Sequence, residues 1–219
     1  MITLTARITR EDGTLVAEGE VVVLLRAPRS VADTAPSLDK HRAIRVLVAE
    51  IRRAKGSVPE IDPDGPGADA KVVIVMLTPG PAPGGAQRTL VLSPTKNSDQ
   101  TALNLRQLLK DARLDERVCV FWNAIPWSLG PRREPTEDEV LEGVDYLRRF
   151  LELIPEQRAV VAMGLVAQRA CRQAGVTAIE VWSPSPLAIS PPTGRGSTKS
   201  RRWIEVREGL KRAAALAIT

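Results

Sequence analysis

The stretch VVIVMLTPGPAPGGAQ, residues 72–87, decides the fold of this chain. It opens with an apolar run, as in a strand buried within a parallel sheet, and the run then stops at threonine, proline and glycine. Three later segments have the same form: VCVFWNAIPWSLG from Val118, AVVAMGLVAQRA from Ala159 and AIEVWSPSPLAIS from Ala178. Open α/β proteins bind ligands where such strands end, so we expect the functional residues at these strand ends.

Helical patterns separate the strands. The predicted helices cover residues 37–55, 101–113, 136–153, 166–173 and 199–217. The third begins with TEDE at residues 136–139, which is a capping box, and His41 is expected on the solvent face of the first. Strands that alternate with helices predict an α/β fold, a three-layer α/β/α sandwich around a mostly parallel four-stranded sheet.

The N-terminal part of the chain has a different pattern. ITLTARI and LVAEGEVVVLL alternate around a turn at residues 11–13, which predicts an antiparallel β-hairpin at the edge of the main sheet or packed over it. We therefore predict three regions. Residues 1–56 form the hairpin and first helix packed on the core, residues 57–71 a connecting loop, and residues 72–219 the main α/β domain.

Composition limits the classes of function. The 219 residues are 43% hydrophobic, enough for a full core, and the net charge of +5 suits either a polyanionic partner or a mildly basic soluble enzyme. Cys119 and Cys171 lack metal-site spacing and are expected to be buried thiols, and a single histidine argues against a histidine-dependent triad or metal site. With no secretory pattern and no apolar run near the roughly 20 residues of a membrane helix, we expect a cytoplasmic protein.

Five short motifs follow one another along the main domain. They are LTPGP at 77–81 with GGAQ at 84–87, DQTALN at 99–104, Asn123, GLVAQ at 164–168 and SPSPL at 183–187. In order and spacing they resemble the uracil-DNA glycosylase superfamily, and the first motif is similar to that of its single-strand-selective branch. The resemblance implies that residues 72–219 form a glycosylase-like domain of a monomeric protein that acts on DNA without metal or cofactor.

The resemblance also implies roles for individual residues. Asn123 would read the edge of an extruded base, with Pro79, Gly80 and Leu92 around it, and Leu92 stands where the family usually has a stacking aromatic ring. Leu187 would enter the duplex in place of the extruded nucleotide. The contacts to DNA phosphates would come from Thr101, Ser185, Arg195, Lys199, Arg201 and Arg202.

Each assignment has a plainer structural alternative. The Gly-Pro loop after the first strand is also explained as a tight connection, Asn123 as a cap, Leu187 as a residue folded onto the domain, and the basic run as a solvated loop. Trp122 and Trp127 either wall the pocket or belong to the core.

Two positions depart from the family pattern. Thr78 stands where the family has a water-positioning Asp or Asn, and Ser183 stands where it has a histidine that stabilises the departing base. Thr78 can orient a water and Ser183 can donate a hydrogen bond, but neither is a general base near neutral pH. Loss of such an electrostatic donor costs on the order of 100-fold or more in rate. Asp99 is a candidate replacement carboxylate, with a helix N-cap as its alternative.

Four functions fit these residues. The first is a monofunctional DNA N-glycosylase that excises uracil or a modified pyrimidine and leaves an abasic site, and the second is an antiviral glycosylase specific for bulky modified phage cytosine. The third is a catalytically degenerate DNA-binding module, favoured by the two altered positions. The fourth, a hydrolase of small nucleosides, leaves Leu187 and the basic run without a role.

Overall fold

The computed structural model of this protein describes residues 2–9, 15–23, 40–80, 91–130, 134–192 and 197–218. The chain divides into two compact units, residues 1–37 and 38–219. In the first unit, β1 (Ile2–Thr9) pairs antiparallel with β2 (Leu15–Val23), and the register shifts between Ile8 and Thr9.

The second unit is built on parallel strands. They are β3 (Glu60–Ile61), β4 (Val72–Met76), β5 (Val91–Leu92), β6 (Cys119–Asn123), β7 (Ala159–Met163) and β8 (Ile179–Val181). Four of them form one parallel sheet in the order β6–β4–β7–β8, and β3 pairs with β5 in a small parallel sheet of its own. The predicted α/β class with a four-stranded parallel sheet is confirmed.

The described residues of this unit also form α-helices that cover the sheet. They are α1 (Arg42–Lys55), α2 (Gln100–Ala112), α3 (Glu137–Glu152), α4 (Leu165–Gln173) and α5 (Thr198–Ile218). The chain runs from β4 to β6 in one direction across the sheet and from β6 to β7 and β8 in the other. Right-handed crossovers therefore put α2 on one face and α3 with α4 on the opposite face. Because α5 packs on α2, and α3 on α4, the three predicted layers are present.

Two predicted helix ends are confirmed. Thr136 caps α3 in a capping box, with the Glu139 N–H donating to Thr136 Oγ1 at 3.3 Å and the Thr136 N–H donating to the Glu139 carboxylate at 2.8 Å. Gly56 ends α1 with a φ of 86°, a conformation that glycine adopts without strain.

The predicted surface position of His41 is wrong. This residue is the N-cap of α1, is only 5% exposed, and places Nε2 3.1 Å from the Gly65 carbonyl oxygen. Burial lowers the pKa of the imidazole, and the charges of Lys40 and Arg45 lower it further. Helical periodicity does not show this burial because the covering residues belong to the irregular connection, whose Ala68 N–H donates to the Lys40 carbonyl oxygen at 2.8 Å.

The first helix, α1, belongs to the same compact unit as the sheet, residues 38–219. The reason is its apolar face, which is buried in the same core as the sheet: Ile44, Leu47, Val48 and Ile51.

The cysteines and Trp122 are core residues. Cys119 and Cys171 are free buried thiols, as predicted, and burial raises the pKa of both, that of Cys171 to about 12. Trp122 stacks on Phe150 of α3 with ring centroids 4.1 Å apart, so its interpretation as a core residue is confirmed. In the part of the chain that the structure describes, no helix combines the length and apolarity that crossing a bilayer requires.

Candidate active site

The strand ends bring the candidate residues to one edge of the sheet. Asn123 ends β6, Thr78 follows β4, Gly164 follows β7, and Ser183 follows β8. Since β4 lies between β6 and β7, these positions follow one another along the edge in the order Asn123, Thr78, Gly164, Ser183. Backbone hydrogen bonds join neighbouring strand ends. The Ala124 N–H donates to the Met76 carbonyl oxygen at 2.7 Å, and the Gly164 N–H donates to the Val181 carbonyl oxygen at 2.8 Å.

Two close approaches hold this edge together. A Cβ atom added at Gly164, which has a φ of 91°, would lie 3.2 Å from Cβ of Ser183, so glycine lets the ends of β7 and β8 meet. On α3, a Cβ atom at Gly143 would collide with the Ala124 carbonyl oxygen. The backbone directly after Asn123 is therefore pinned against α3.

Asn123 carries a buried donor without a partner. Its side chain is 1% exposed, and Nδ2 has no hydrogen-bond acceptor among the described residues. Successive strand residues point to opposite faces, and Trp122 points to α3, so Asn123 points to the face that α2 covers. An unpaired buried donor costs about 1–3 kcal/mol, which a ligand with a carbonyl oxygen would recover.

Thr78 presents an acceptor. Its hydroxyl donates to the Trp127 carbonyl oxygen at 2.9 Å, which uses the proton and leaves the oxygen lone pairs. Such an oxygen can accept a hydrogen bond from a water molecule but cannot remove its proton at neutral pH. Pro79 is buried directly after it, and Gly80 is exposed.

Ser183 offers a hydrogen-bond donor instead of an acceptor. Its Oγ accepts from the Ser185 N–H at 3.3 Å, which uses a lone pair and leaves the hydroxyl proton for donation. Ser183 and Ser185 are both half-buried. The hydroxyl groups of Thr78 and Ser183 are therefore complementary, since the first can accept a further hydrogen bond and the second can donate one.

The turn at residues 183–187 is held through its carbonyl oxygens and presents one apolar side chain. Asn104 Nδ2 donates to the Pro184 oxygen at 2.9 Å and Lys199 Nζ to the Pro186 oxygen at 3.0 Å. Directly after the turn, Arg202 donates to the Ala188 oxygen at 3.4 Å. Leu187 itself is 84% exposed, so it is not folded onto the domain.

The basic residues near this turn have structural bonds. The Arg202 guanidinium lies 3.9 Å from the Trp182 ring centroid, and Arg201 donates to Thr198 Oγ1 at 3.4 Å. Lys199 and Arg201 remain exposed, which keeps positive charge close to Leu187. Arg195 lies outside the described residues, as do the GGAQ part of the first motif and Pro81.

Three other predicted site residues have different surroundings. Asp99 caps α2 by accepting from the N–H groups of Thr101 and Ala102 at 2.9 and 3.1 Å, so its interpretation as a cap is confirmed, and Thr101 lies half-buried in the first turn. Leu92 is buried on β5 and lines a narrow cavity with Cys119 and Phe121, beside the first half of β6 rather than at its end. Leu92 thus belongs to the small β3–β5 sheet, whereas the other candidate residues lie at the edge of the four-stranded sheet.

Asn104 is the site residue that sequence reasoning missed. It lies in the DQTALN motif at 99–104, is 5% exposed, and donates a hydrogen bond to the turn that carries Leu187. The available signal was its position on the inward face of α2, beside buried Leu105 and Leu108.

Other features of the described residues lie away from this edge. A cavity of about 550 Å³ lies between α1 and α3, lined by residues that include Val46, Glu50, Arg149 and Leu153. No group of three or more His, Cys, Asp or Glu side chains that would suit a metal ion occurs within the described ranges.

Comparison with known proteins relates this edge to a family. The family model described as Uracil DNA glycosylase superfamily matches residues 63–207, which include all four strand ends and the turn at 183–187. No curated protein matches the chain.

Proposed function

Because the chain belongs to the uracil-DNA glycosylase superfamily, we propose that it is a monofunctional DNA glycosylase that hydrolyses the N-glycosidic bond of an extruded pyrimidine nucleotide. The product is an abasic site in DNA. Uracil is the first base to test, and bulky modified cytosine of phage DNA is the second.

The observation that carries this proposal is the unpaired amide of Asn123. Four buried side-chain atoms lack a partner among the described residues, and of these Asn123 Nδ2 is the one on the last residue of a strand at the candidate site. Nδ2 can donate to a pyrimidine carbonyl oxygen while Oδ1 accepts from the ring N–H, which is the pattern that uracil offers. If the Asn123 amide is rotated by about 180°, Oδ1 and Nδ2 exchange places, and the exchanged acceptor and donor match the edge of cytosine.

The hydroxyl groups provide the remaining chemistry. A water molecule that donates a hydrogen bond to the Thr78 oxygen attacks C1′ of the deoxyribose. The C1′–N1 bond breaks, and its electron pair leaves with the base. Ser183 donates a hydrogen bond to the base as negative charge develops there, and preorganised donors of this kind lower the barrier. The water proton passes to solvent because Thr78 is not a base. This arrangement supports a slower reaction than one with a carboxylate and an imidazole.

A DNA-binding module without cleavage is the second candidate. The observation that favours it is the hydrogen bond from the Thr78 hydroxyl to the Trp127 carbonyl oxygen, which uses the hydroxyl proton. Neither Thr78 nor Ser183 can act as a general base near neutral pH, so the site lacks a group that would remove the proton of an attacking water.

The test uses single-stranded and duplex DNA containing uracil, and phage DNA containing glucosylated hydroxymethylcytosine, with alkali-labile strand breaks as the readout. We expect breaks with the wild-type protein and at least about 100-fold fewer with Asn123→Asp, which removes the donor without changing the volume. The control is Gln157→Glu, which changes an amide that donates to the Leu151 carbonyl oxygen at 3.0 Å, near the amino end of β7.

The other outcomes separate the remaining functions. Salt-sensitive DNA binding without breaks on any substrate selects the binding module, and cleavage of free nucleosides alone selects a nucleoside hydrolase. Equal loss in Gln157→Glu contradicts the role of Asn123.

A further inference from the structure

A buried amide ties α2 to the turn at residues 183–187. Asn104 is 5% exposed, and its Nδ2 lies 2.9 Å from the Pro184 carbonyl oxygen, a bond buried in the protein between residues 80 positions apart. α2 connects β4 to β6, so this bond joins the segment after β8 to the helix above the other half of the sheet. Asn123 points to the same face.

The orientation of the Asn104 amide is set by a second bond. Gln100 Nε2 donates to Asn104 Oδ1 at 2.9 Å. Because this bond occupies the oxygen end of the amide, the nitrogen end faces Pro184.

The bond fixes one peptide unit of the turn at both ends. Its carbonyl oxygen, from Pro184, accepts from Asn104, and its N–H, from Ser185, donates to Ser183 Oγ at 3.3 Å. A peptide unit is planar, so rotation of this unit breaks both bonds together. The position of the Ser183 hydroxyl oxygen is therefore coupled to Asn104.

The other two supports of the turn differ in kind. Lys199 and Arg202 are cations that donate to Pro186 and Ala188 from the beginning of α5. DNA phosphates compete for such cations, and salt screens them. The bond from Asn104 is neutral and buried, so it persists when a polyanion approaches.

We propose that Asn104 is a positioning residue that fixes the Pro184–Ser185 peptide and thereby holds the Ser183 hydroxyl ready for an extruded nucleotide. This inference rests on the proposed function for its consequence in catalysis, but its structural part applies to the free protein. Asn104 is buried and acts through Ser183.

The first experiment is independent of activity. Amide hydrogen exchange at Ser185 is measured in the free protein for wild type and Asn104→Asp, which keeps the shape of the side chain and removes the donor. We expect exchange to accelerate at least about 10-fold, because the Ser185 N–H loses its fixed acceptor. Gln100→Ala releases only the orientation of the amide and is expected to give a smaller acceleration.

The matched control is Asn97→Asp. Asn97 Nδ2 also donates to main-chain oxygens, those of Val91 and Ser93, each at 2.8 Å, but it lies outside the turn. Exchange at Ser185 should stay at the wild-type rate in this variant. A change of less than threefold in Asn104→Asp, or an equal change in Asn97→Asp, overturns the proposal.

The second experiment measures single-turnover base release. We expect Asn104→Asp to slow release about 10- to 30-fold, with the KM for DNA changed less than about threefold, because the bond acts on the reacting geometry rather than on binding. In a Ser183→Ala background the same substitution should have less than a twofold further effect. Full additivity overturns the positioning role, whereas absence of base release by wild type, with fast Ser185 exchange in Asn104→Asp, contradicts only the proposed function.

Discussion

Leu187→Ala removes the side chain that is expected to replace the extruded nucleotide. The structure leaves this leucine 84% exposed, so its loss should hardly change the free energy of unfolding. In the expected complex with DNA the side chain would be buried between bases, and alanine lacks three of its carbon groups. At about 0.8 kcal/mol for each buried group, roughly 2.4 kcal/mol of stabilisation of the extruded state is lost. We therefore expect duplex base release to slow roughly 50-fold.

The assay compares single-turnover base release from duplex and single-stranded DNA, with 2-aminopurine fluorescence beside the target base reporting extrusion. A single strand needs no replacement of a stacked pair, so its rate should change less than about threefold. Leu141→Ala is the matched control, since Leu141 is 51% exposed on α3, outside the candidate site. Equal slowing on both DNA forms, or an unchanged duplex rate, refutes the wedge role of Leu187.

Three further outcomes follow from the structure. Asn123→Leu should abolish base release yet leave the free energy of unfolding unchanged or raise it by about 1 kcal/mol in urea denaturation, because it removes an unpaired buried donor; a loss of more than about 2 kcal/mol contradicts this. Arg201→Ala should reduce the slope of log Kd against log salt by about 1 if Arg201 binds one phosphate, whereas the same change at Arg53, an exposed residue of α1, should leave the slope unchanged. Burial raises the pKa of Cys171 to about 12. The contribution of this thiol to stability is therefore complete below about pH 8.5, the pKa in the unfolded chain, and falls above that pH by about 1.4 kcal/mol per pH unit. Cys171→Ala should flatten this decline in urea titrations between pH 9 and 11, and an unchanged slope contradicts the prediction.

The parts of the fold that depend on local patterns were predictable from the sequence. The apolar run Val72–Met76 carries the signal of a buried parallel strand, and Thr136 with Glu139 carries that of a helix start. The alternation of strands with helices then restricts the topology through the handedness of crossovers. These signals involve residues near one another in the chain.

The features that sequence reasoning missed depend on contacts between distant segments. His41 is covered by the connection that follows its helix, and Asn104 meets a turn 80 residues away. Lys199 and Arg202 belong to a basic run of the kind that binds phosphates, but Lys199 also bonds to Pro186 of the turn at 183–187 and Arg202 to Ala188 directly after it, which charge alone does not reveal. Polar side chains of this kind form their hydrogen bonds only when the distant segments of the sheet have come together.

The difference between Leu92 and the other candidate residues has a similar origin. The resemblance placed Leu92 beside the base by its distance from the first motif, but β5 pairs with β3 and leaves Leu92 near the beginning of β6. Asn123 ends a strand of the central sheet, and Thr78 and Ser183 each lie two residues after one, so topology sets their common edge.

The most direct test of base recognition by Asn123 is a crystal structure of the protein with duplex DNA that carries 2′-fluoro-2′-deoxyuridine, whose glycosidic bond resists hydrolysis. We expect the base to be extruded and Asn123 Nδ2 to lie about 2.9 Å from one of its carbonyl oxygens. A base that remains stacked in the duplex, or an Asn123 amide bonded only to the protein's own chain, would contradict this expectation.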